Sequence, residues 1–363
     1  MAYYDVGGLF ADTISYNNFS LTPSQPTDYF EFTIYNDNRE VNLYLHDISA
    51  NDNADLLLYR DQNGNGILDN NDALMGFSGE DGNADDLINF EAIPGTYFAR
   101  VNRNKSGSNG TVTYDLDLSA HYNVGALGST PKSYTESLST GQLKEVYEFE
   151  LSGTRYVHLT LDNYIHGEAD LRLYQDNGNG FLDDGDALVV ASLDGDRFES
   201  IHYKASAATY FAEVEYDEFD LISVIDYKLK MSANLPTHKF SNLVVGEVDV
   251  GDITHNTPDQ VGLLNDTNVV DTYEFSLDYY EGVNIRLTDL TSDASIVLIQ
   301  DSNYNGIVDT GEIIDSSYTF GTGDEQINNV EVSGNYLVQI FQATFGGDTT
   351  YTLEFDHFST PHA

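Results

Sequence analysis

The stretch "ADLLLYRDQNGNGILDNND", Ala54 to Asp72, joins two patterns whose meeting decides the fold. In the first half Ala54, Leu56 and Leu58 recur at every second place, the period of a strand with one buried face. The second half sets two Asn-Gly pairs in a frame of carboxylates. Asn-Gly alone signals a tight hairpin, because both residues tolerate positive φ. A hairpin, however, needs no oxygen-bearing side chains at fixed offsets. With Asp61 as position 1, oxygens fall on Asn63 (3), Asn65 (5), Asp69 (9) and Asp72 (12), with Gly66 at 6 and Ile67 at 7. That is the order of the twelve-residue calcium loop. Odd positions turn inward, a glycine makes the bend, position 7 offers its carbonyl and position 12 closes the shell. Here the loop follows a strand rather than a helix.

The pattern returns twice. "DSNYNGIVDTGE" places Asp301, Asn303, Asn305, Ile307, Asp309 and Glu312 at the same offsets. "QDNGNGFLDDGD" places Gln175, Asn177, Asn179, Phe181, Asp183 and Asp186 there, with Asp176 one place along from the first ligand position. Asn63 to Asn177 spans 114 residues and Asn177 to Asn303 spans 126, a domain-sized period. Other landmarks keep step. "DYFEF", "EVYEF" and "DTYEF" begin at Asp28, Glu145 and Asp271. Alternating runs follow at Val41, Leu43, Leu45; at Val157, Leu159, Leu161; and at Val283, Ile285, Leu287. "GTYFARV", "ATYFAEV" and "GNYLVQI" come after the loops, and "TYDLDL", "DYKLKM" and "TYTLEF" close the units. No segment holds a 3.6-residue period over helical length. The expectation is an all-β chain of three tandem antiparallel β-sandwiches, jelly-roll-like, over 1–119, 120–233 and 234–363, each of five to eight short strands. The turn-rich joins "SAHYNVGALGSTPKS" and "SANLPTHKFSNLVVG" each carry an apolar pair able to start the next unit's first strand.

Bulk composition narrows the partners. The chain of 363 residues carries 60 acids against 15 basic residues, a formal charge of −45. Such a surface disfavours nucleic acid and anionic membrane. Filling three loops with calcium brings −45 only to −39, so most of the acidity serves something else, such as solubility in salt or further divalent ions. At 40% hydrophobic and 12% aromatic content this is no disordered polyanion. Cysteine is absent, which excludes disulfides and thiol catalysis. No apolar run reaches membrane-spanning length, and "MAYYDVGGLF" lacks the regions of a signal peptide. Export by another route, or a mature form, is therefore expected.

Other chemistries leave little trace. Of nine histidines none forms H-E-x-x-H or another close metal pair, so no zinc site is expected. No G-x-S-x-G elbow, Walker loop or dinucleotide fingerprint occurs. A glycosidase carboxylate pair would have to be sought among 60 acids, and three equal modules argue against one. Asp86, Glu199 and Glu325 each precede an aligned tyrosine by eleven residues. They either complete the calcium shells from a neighbouring strand or face solvent. Asp55 and Asp170 have Ser295 as their third counterpart, which argues against a ligand role.

The landmarks resemble those of the bacterial pre-peptidase C-terminal domain: "DYFEF", "ADLLLY", "GTYFARV" and "YDLDL" in the first unit, "ADLRLY" and "ATYFAEV" in the second, with "ASIVLI" departing in the third. The resemblance implies jelly-roll-like sandwiches in a secreted protein, often beside a peptidase and sometimes calcium-bound. The loops rest on their own EF-hand-like or dockerin-like spacing. Two function classes follow. One is a non-enzymatic, calcium-binding structural or adhesive protein outside the cell or on its surface, associating with itself, a surface partner or a glycan. The other is an accessory region of a secreted peptidase or other hydrolase. Three modules that fill the chain favour the first.

Overall fold

The computed structural model describes residues 2–105, 110–164, 168–193, 198–216, 224–236, 240–342 and 347–360. No helix occurs among them. His166, His238 and His362 lie outside the described residues.

The first repeat yields β1 (Ala2–Gly8), β2 (Ile14–Leu21), β3 (Thr27–Ile34), β4 (Arg39–His46), β5 (Asn53–Arg60), β6 (Ala73–Ser78), β7 (Asp86–Ala92), β8 (Gly95–Lys105) and β9 (Val112–Ala126). The second yields β10 (Lys132–Ser139), β11 (Lys144–Leu151), β12 (Arg155–Tyr164), β13 (Ala169–Gln175), β14 (Ala187–Ser192), β15 (Phe198–Ala205), β16 (Ala208–Tyr216) and β17 (Val224–Asn234). The third yields β18 (Val248–Asp252), β19 (Gln260–Leu264), β20 (Val270–Leu277), β21 (Glu281–Thr288), β22 (Ala294–Ile299), β23 (Ile313–Ser317), β24 (Glu325–Val330), β25 (Gly334–Gln342) and β26 (Thr349–Ser359). The first and third repeats exceed the five to eight strands expected. β1 and β18 supply the excess: both are half-exposed edge strands that pair in parallel with β3 and β20, a pattern that weak alternation does not announce.

Two compact units emerge. One comprises Met1–Gly125, Thr140–Glu148 and Asp176–Asp186; the other comprises Ala126–Ser139, Phe149–Gln175 and Ala187–Ala363. In the first unit one sheet has the order β1-β3-β8-β5-β6, and β4 lies between β7 and β9, with β2 also on β9. β3 shows why they stack: Phe30, Phe32 and Ile34 point inward while Tyr29, Glu31 and Thr33 point out. They meet Val41, Leu43 and Leu45 of β4 and Tyr114, Leu116 and Leu118 of β9 in one core. Each such side chain fully buried contributes roughly 1.5–3 kcal/mol. β9 continues past this core and lies beside β11. There it takes the place that β1 has on β3. Gly125 N–H donates to Asn123 Oδ1 (2.8 Å) as Gly7 does to Asp5 Oδ1 (3.0 Å), and both glycines have positive φ.

In the second unit the orders repeat: β10-β17-β12-β15 and β14-β13-β16-β11, where Phe149–Leu151 of β11 belong to this unit, then β18-β20-β25-β22-β23 and β19-β26-β21-β24. The last two sheets enclose a core of Phe275, Leu277, Ile285, Leu298, Ile340 and Leu353 among others. A smaller cluster joins Tyr156 to Val244, Val269, Val270, Val297, Ile299 and Phe341. The chain is thus an all-β protein of stacked sheets.

Candidate metal centres

β5 ends at Arg60, opposite Tyr97 of β8. The Asp61 N–H still donates to the Thr96 carbonyl (3.0 Å), so the first loop leaves the sheet with its first carboxylate positioned. That carboxylate accepts from the N–H groups of Gly64 (2.7 Å) and Gly66 (2.9 Å). Asn63 Oδ1 accepts from Asn65 N–H (3.0 Å), and Asn65 Oδ1 from Ile67 N–H (2.8 Å). Asp72 closes the ring, accepting from Gln62 N–H (3.1 Å) and Asp69 N–H (2.7 Å). Asp69 accepts the Asn71 N–H (2.7 Å) and the amides of Asn63 and Asn65; these bonds, the Asn71 N–H foremost, hold its carboxyl below the usual range. Gly66 has φ +68°, and Gly180 and Gly306 at the same place both have +70°. Only glycine adopts this bend without strain.

The third loop repeats the scheme. Asp301 accepts from Asn305 N–H (3.2 Å) and Gly306 N–H (2.8 Å). Asn303 Oδ1 takes Asn305 N–H (3.0 Å) and Asn305 Oδ1 takes Ile307 N–H (2.7 Å). Glu312 accepts from Ser302 N–H (3.0 Å) and Asp309 N–H (2.8 Å), while Asp309 receives both asparagine amides at 2.8 Å.

The middle loop reaches the same geometry with one residue fewer. Gln175 does not enter it. It closes β13, paired with Ala187 and Tyr210, where Arg60 stands in the first repeat. Asp176 takes the place of Asp61 and accepts from Gly178 N–H (2.9 Å) and Gly180 N–H (3.3 Å). Asn177 then serves two positions: its N–H donates to Asp186 (2.9 Å), as Gln62 does to Asp72, and its Oδ1 accepts from Asn179 N–H (3.2 Å). Asn179 Oδ1 accepts from Phe181 N–H (2.9 Å), and the Asn177 and Asn179 amides meet Asp183 at 3.3 and 2.8 Å. Burial first, and repulsion from Asp183 and Asp176 next, raise the Asp186 carboxyl above its ordinary value. Each loop therefore gathers three carboxylates and two carboxamides, with a backbone carbonyl at Ile67, Phe181 or Ile307. Oxygen alone at this density suits a hard cation such as calcium and not zinc.

The surroundings differ. The middle loop is packed on the first repeat within one unit. Asn42 Nδ2 of β4 donates to the Gly180 carbonyl (2.9 Å), Asn89 Nδ2 of β7 to the Asn179 carbonyl (2.9 Å), and Phe181 meets Tyr44 with 3% exposure. The third loop is packed on the segment before β18: Val244 N–H donates to the Gly306 carbonyl (3.1 Å) and Val308 N–H to the Asn242 carbonyl (2.9 Å). The first loop is open, with Ile67 63% exposed.

Asp86, Glu199 and Glu325 are not solvent-facing, being 0%, 1% and 0% exposed. Asp86 accepts from Ser78 Oγ (2.6 Å) and Glu80 N–H (2.8 Å). Glu199 accepts from Ser192 and Glu325 from Ser317. Each thus staples β7, β15 or β24 to the serine that ends β6, β14 or β23. Asp55 accepts the Asn104 amide (3.1 Å), and Asp170 pairs with Arg172 (2.8 Å).

Sequence spacing missed contacts that only the sheets create. His158 and His202, directly opposite on β12 and β15, meet Nδ1 to Nδ1 at 2.8 Å, with Glu247 at 3.3 Å from His202. Burial, then His202, lowers the pKa of His158 well below its ordinary value. Among the described residues, one group of three metal-type side chains has its ligand atoms within 4.8 Å of one another: His46, Asp47 and Asp115. The three carboxylates of each calcium-type loop stand farther apart, bridged by N–H donors.

No protein-family model matches the chain, and no curated protein does. Solved structures are similar to parts of it. The pre-peptidase C-terminal domain of a collagenase from Bacillus anthracis is 15% identical, covering 31% of this chain and 93% of its own, with TM-score 0.24. A periplasmic inhibitor of g-type lysozyme from Salmonella Typhimurium is 16% identical over 31% of this chain and 97% of its own, with TM-score 0.22. A triple jelly roll protein of an archaeal virus turret is 8% identical over 97% of this chain and 89% of its own, with TM-score 0.19. At such values these likenesses carry no argument about function, and the all-β class rests on the chain's own strands.

Proposed function

We propose that this is a non-enzymatic, calcium-binding structural or adhesive protein of three tandem β-sandwich modules. It works outside the cell or on its surface, in association with copies of itself or with a surface partner such as a glycan. One observation carries the reading: three separate loops, one of them a residue shorter, converge on one hydrogen-bonding scheme that turns the same five side-chain oxygens into one turn. Plain turns need no such agreement. The shorter loop recovers it by moving Asp176 into place, which a solvated acidic stretch has no reason to do. A charge of −45 suits a saline, calcium-containing medium, where self-repulsion is screened. Three ions, one per loop, are expected, bound at the roughly 10⁻⁴–10⁻³ M typical of extracellular modules. Isothermal titration with calcium tests it. Three binding events support the reading, and the absence of binding heat up to about 10 mM calcium, an order above that range, overturns it.

A further inference from the structure

The second unit holds a cavity that the calcium reading leaves unused. On β12, Tyr156, His158 and Thr160 alternate with Val157, Leu159 and Leu161, so the two sets stand on opposite faces. The first face is covered, since Tyr156 packs with Val244, Val297 and Phe341. Thr160, directly opposite Lys230 of β17, lies where that cover is incomplete. A cavity of about 270 Å³ remains there, lined by Thr160, Lys230 and Glu274 of β20.

Lys230 is 6% exposed and Thr160 2%. The side chains of Lys230, Thr160 and Glu274 make no hydrogen bond or ion pair among the described residues. A buried ammonium without a partner is costly. Here a carboxylate lines the same cavity and still does not reach it, so the two charges are held apart. Glycines keep both heads clear: a Cβ on Gly306 would stand 2.6 Å from Lys230 Nζ, and one on Gly246 would stand 2.6 Å from Glu274 Oε2. A ligand that answers all three groups carries an anion, a hydrogen-bonding atom beside it, and a cation. Asp162 and Asp301 line the cavity as well, so acids outnumber its single lysine and a plain anion such as phosphate is repelled. Small-molecule pockets begin at roughly 300 Å³, so the ligand is small.

We propose that this cavity binds a free α-amino acid with an apolar side chain. Its carboxylate meets Lys230 Nζ and the Thr160 hydroxyl, its ammonium turns to Glu274, and its side chain lies against Leu161, Val244 and Leu337. The site goes beyond the calcium reading and does not rest on it. The third loop serves only as a wall, through Gly306 and through Asp301, whose carboxylate is already engaged by the Asn305 and Gly306 N–H groups.

Isothermal titration of the full chain in calcium, with L-leucine as the probe, tests the site. Saturable binding is expected. Two analogues each lack one charge: 4-methylpentanoate has no ammonium and 3-methylbutylamine has no carboxylate. Each should bind about tenfold more weakly than leucine, or weaker still, because each forfeits a charge-assisted hydrogen bond. Lys230→Met should bring leucine down to the affinity of 3-methylbutylamine or below it, while that amine binds as it does to wild type. Glu274→Gln should do the converse, sparing 4-methylpentanoate. Circular dichroism verifies that both variants are folded. No saturable leucine binding, analogues that match leucine, or variants that lose all three probes alike overturn the site. Leucine binding without calcium binding heat removes the calcium reading and leaves the site; calcium binding heat without leucine binding does the reverse.

Discussion

On the proposal that each loop holds a calcium ion, removing calcium should perturb the two compact units unequally, because they hold unequal numbers of loops. The first unit contains the Asp61–Asp72 loop and Asp176–Asp186, while the second contains only Asp301–Glu312. With free calcium about 100-fold above the dissociation constant, each filled site adds about 2.7 kcal/mol. The first unit then gains about 5.4 kcal/mol and the second about 2.7 kcal/mol. The units comprise about 145 and 218 residues. At roughly 2.1 cal/mol/K of unfolding entropy per residue, the first should melt about 18 °C lower in chelator and the second about 6 °C lower. Differential scanning calorimetry of the whole chain, in calcium and then in chelator, reads both shifts. The transitions are assigned by repeating the scan on Asp301→Ala, whose loop lies in the second unit. Equal shifts, or a larger shift in the transition that Asp301→Ala alters, would refute this allocation of ions to units.

Asp176→Asn should weaken the middle site about tenfold, since ligand charge tunes calcium affinity, whereas Gln175→Ala should change it less than twofold; calcium titration compares them. Asn42→Ala removes the amide shared by the Gly180 carbonyl and Asn89 Oδ1 and should lower stability by roughly 1–3 kcal/mol in urea unfolding. Burial, then Glu247, pushes the Asp271 carboxyl up to about 6. The folded chain therefore keeps this proton to a higher pH than the unfolded chain, whose aspartates release it near about 3.9. Its stabilising contribution is complete below that value and is lost as pH rises toward 6, by roughly 2–3 kcal/mol. Asp271→Asn should flatten that descent relative to wild type in urea unfolding across pH 4 to 6, and an unchanged slope would rule Asp271 out.

Strands that bury one face were legible because alternation is local: Val41, Leu43 and Leu45 state their face within five residues. The turn geometry of the loops was legible for the same reason, since the spacing of Asp, Asn and Gly sets which side-chain oxygens meet which N–H groups. What escaped depends on pairing between distant segments. β1 and β18 are half-exposed edges, so their periodicity carries little apolar contrast. The displacement of Gln175 by Asp176 follows from where β13 stops pairing with β16, which spacing within the loop does not reveal. The roles of Asp86, Glu199 and Glu325 are set by serines seven or eight residues earlier, met across a turn. The pairing of His158 with His202 spans 44 residues and exists only through the β12–β15 register.

β9 gives the chain a mechanical property. Its fifteen residues pair with β4 over one stretch and lie beside β11 over the next, with no slack segment between. Tension entering through β4 crosses the seven-pair ladder from Glu40–His121 to His46–Asp115 into the backbone of β9. The hydrogen bonds of that ladder are then loaded in shear, many at once, rather than opened singly as in a zipper. Under stretch along β4, the β4–β9 ladder of the first unit should yield no extension until it ruptures as a whole.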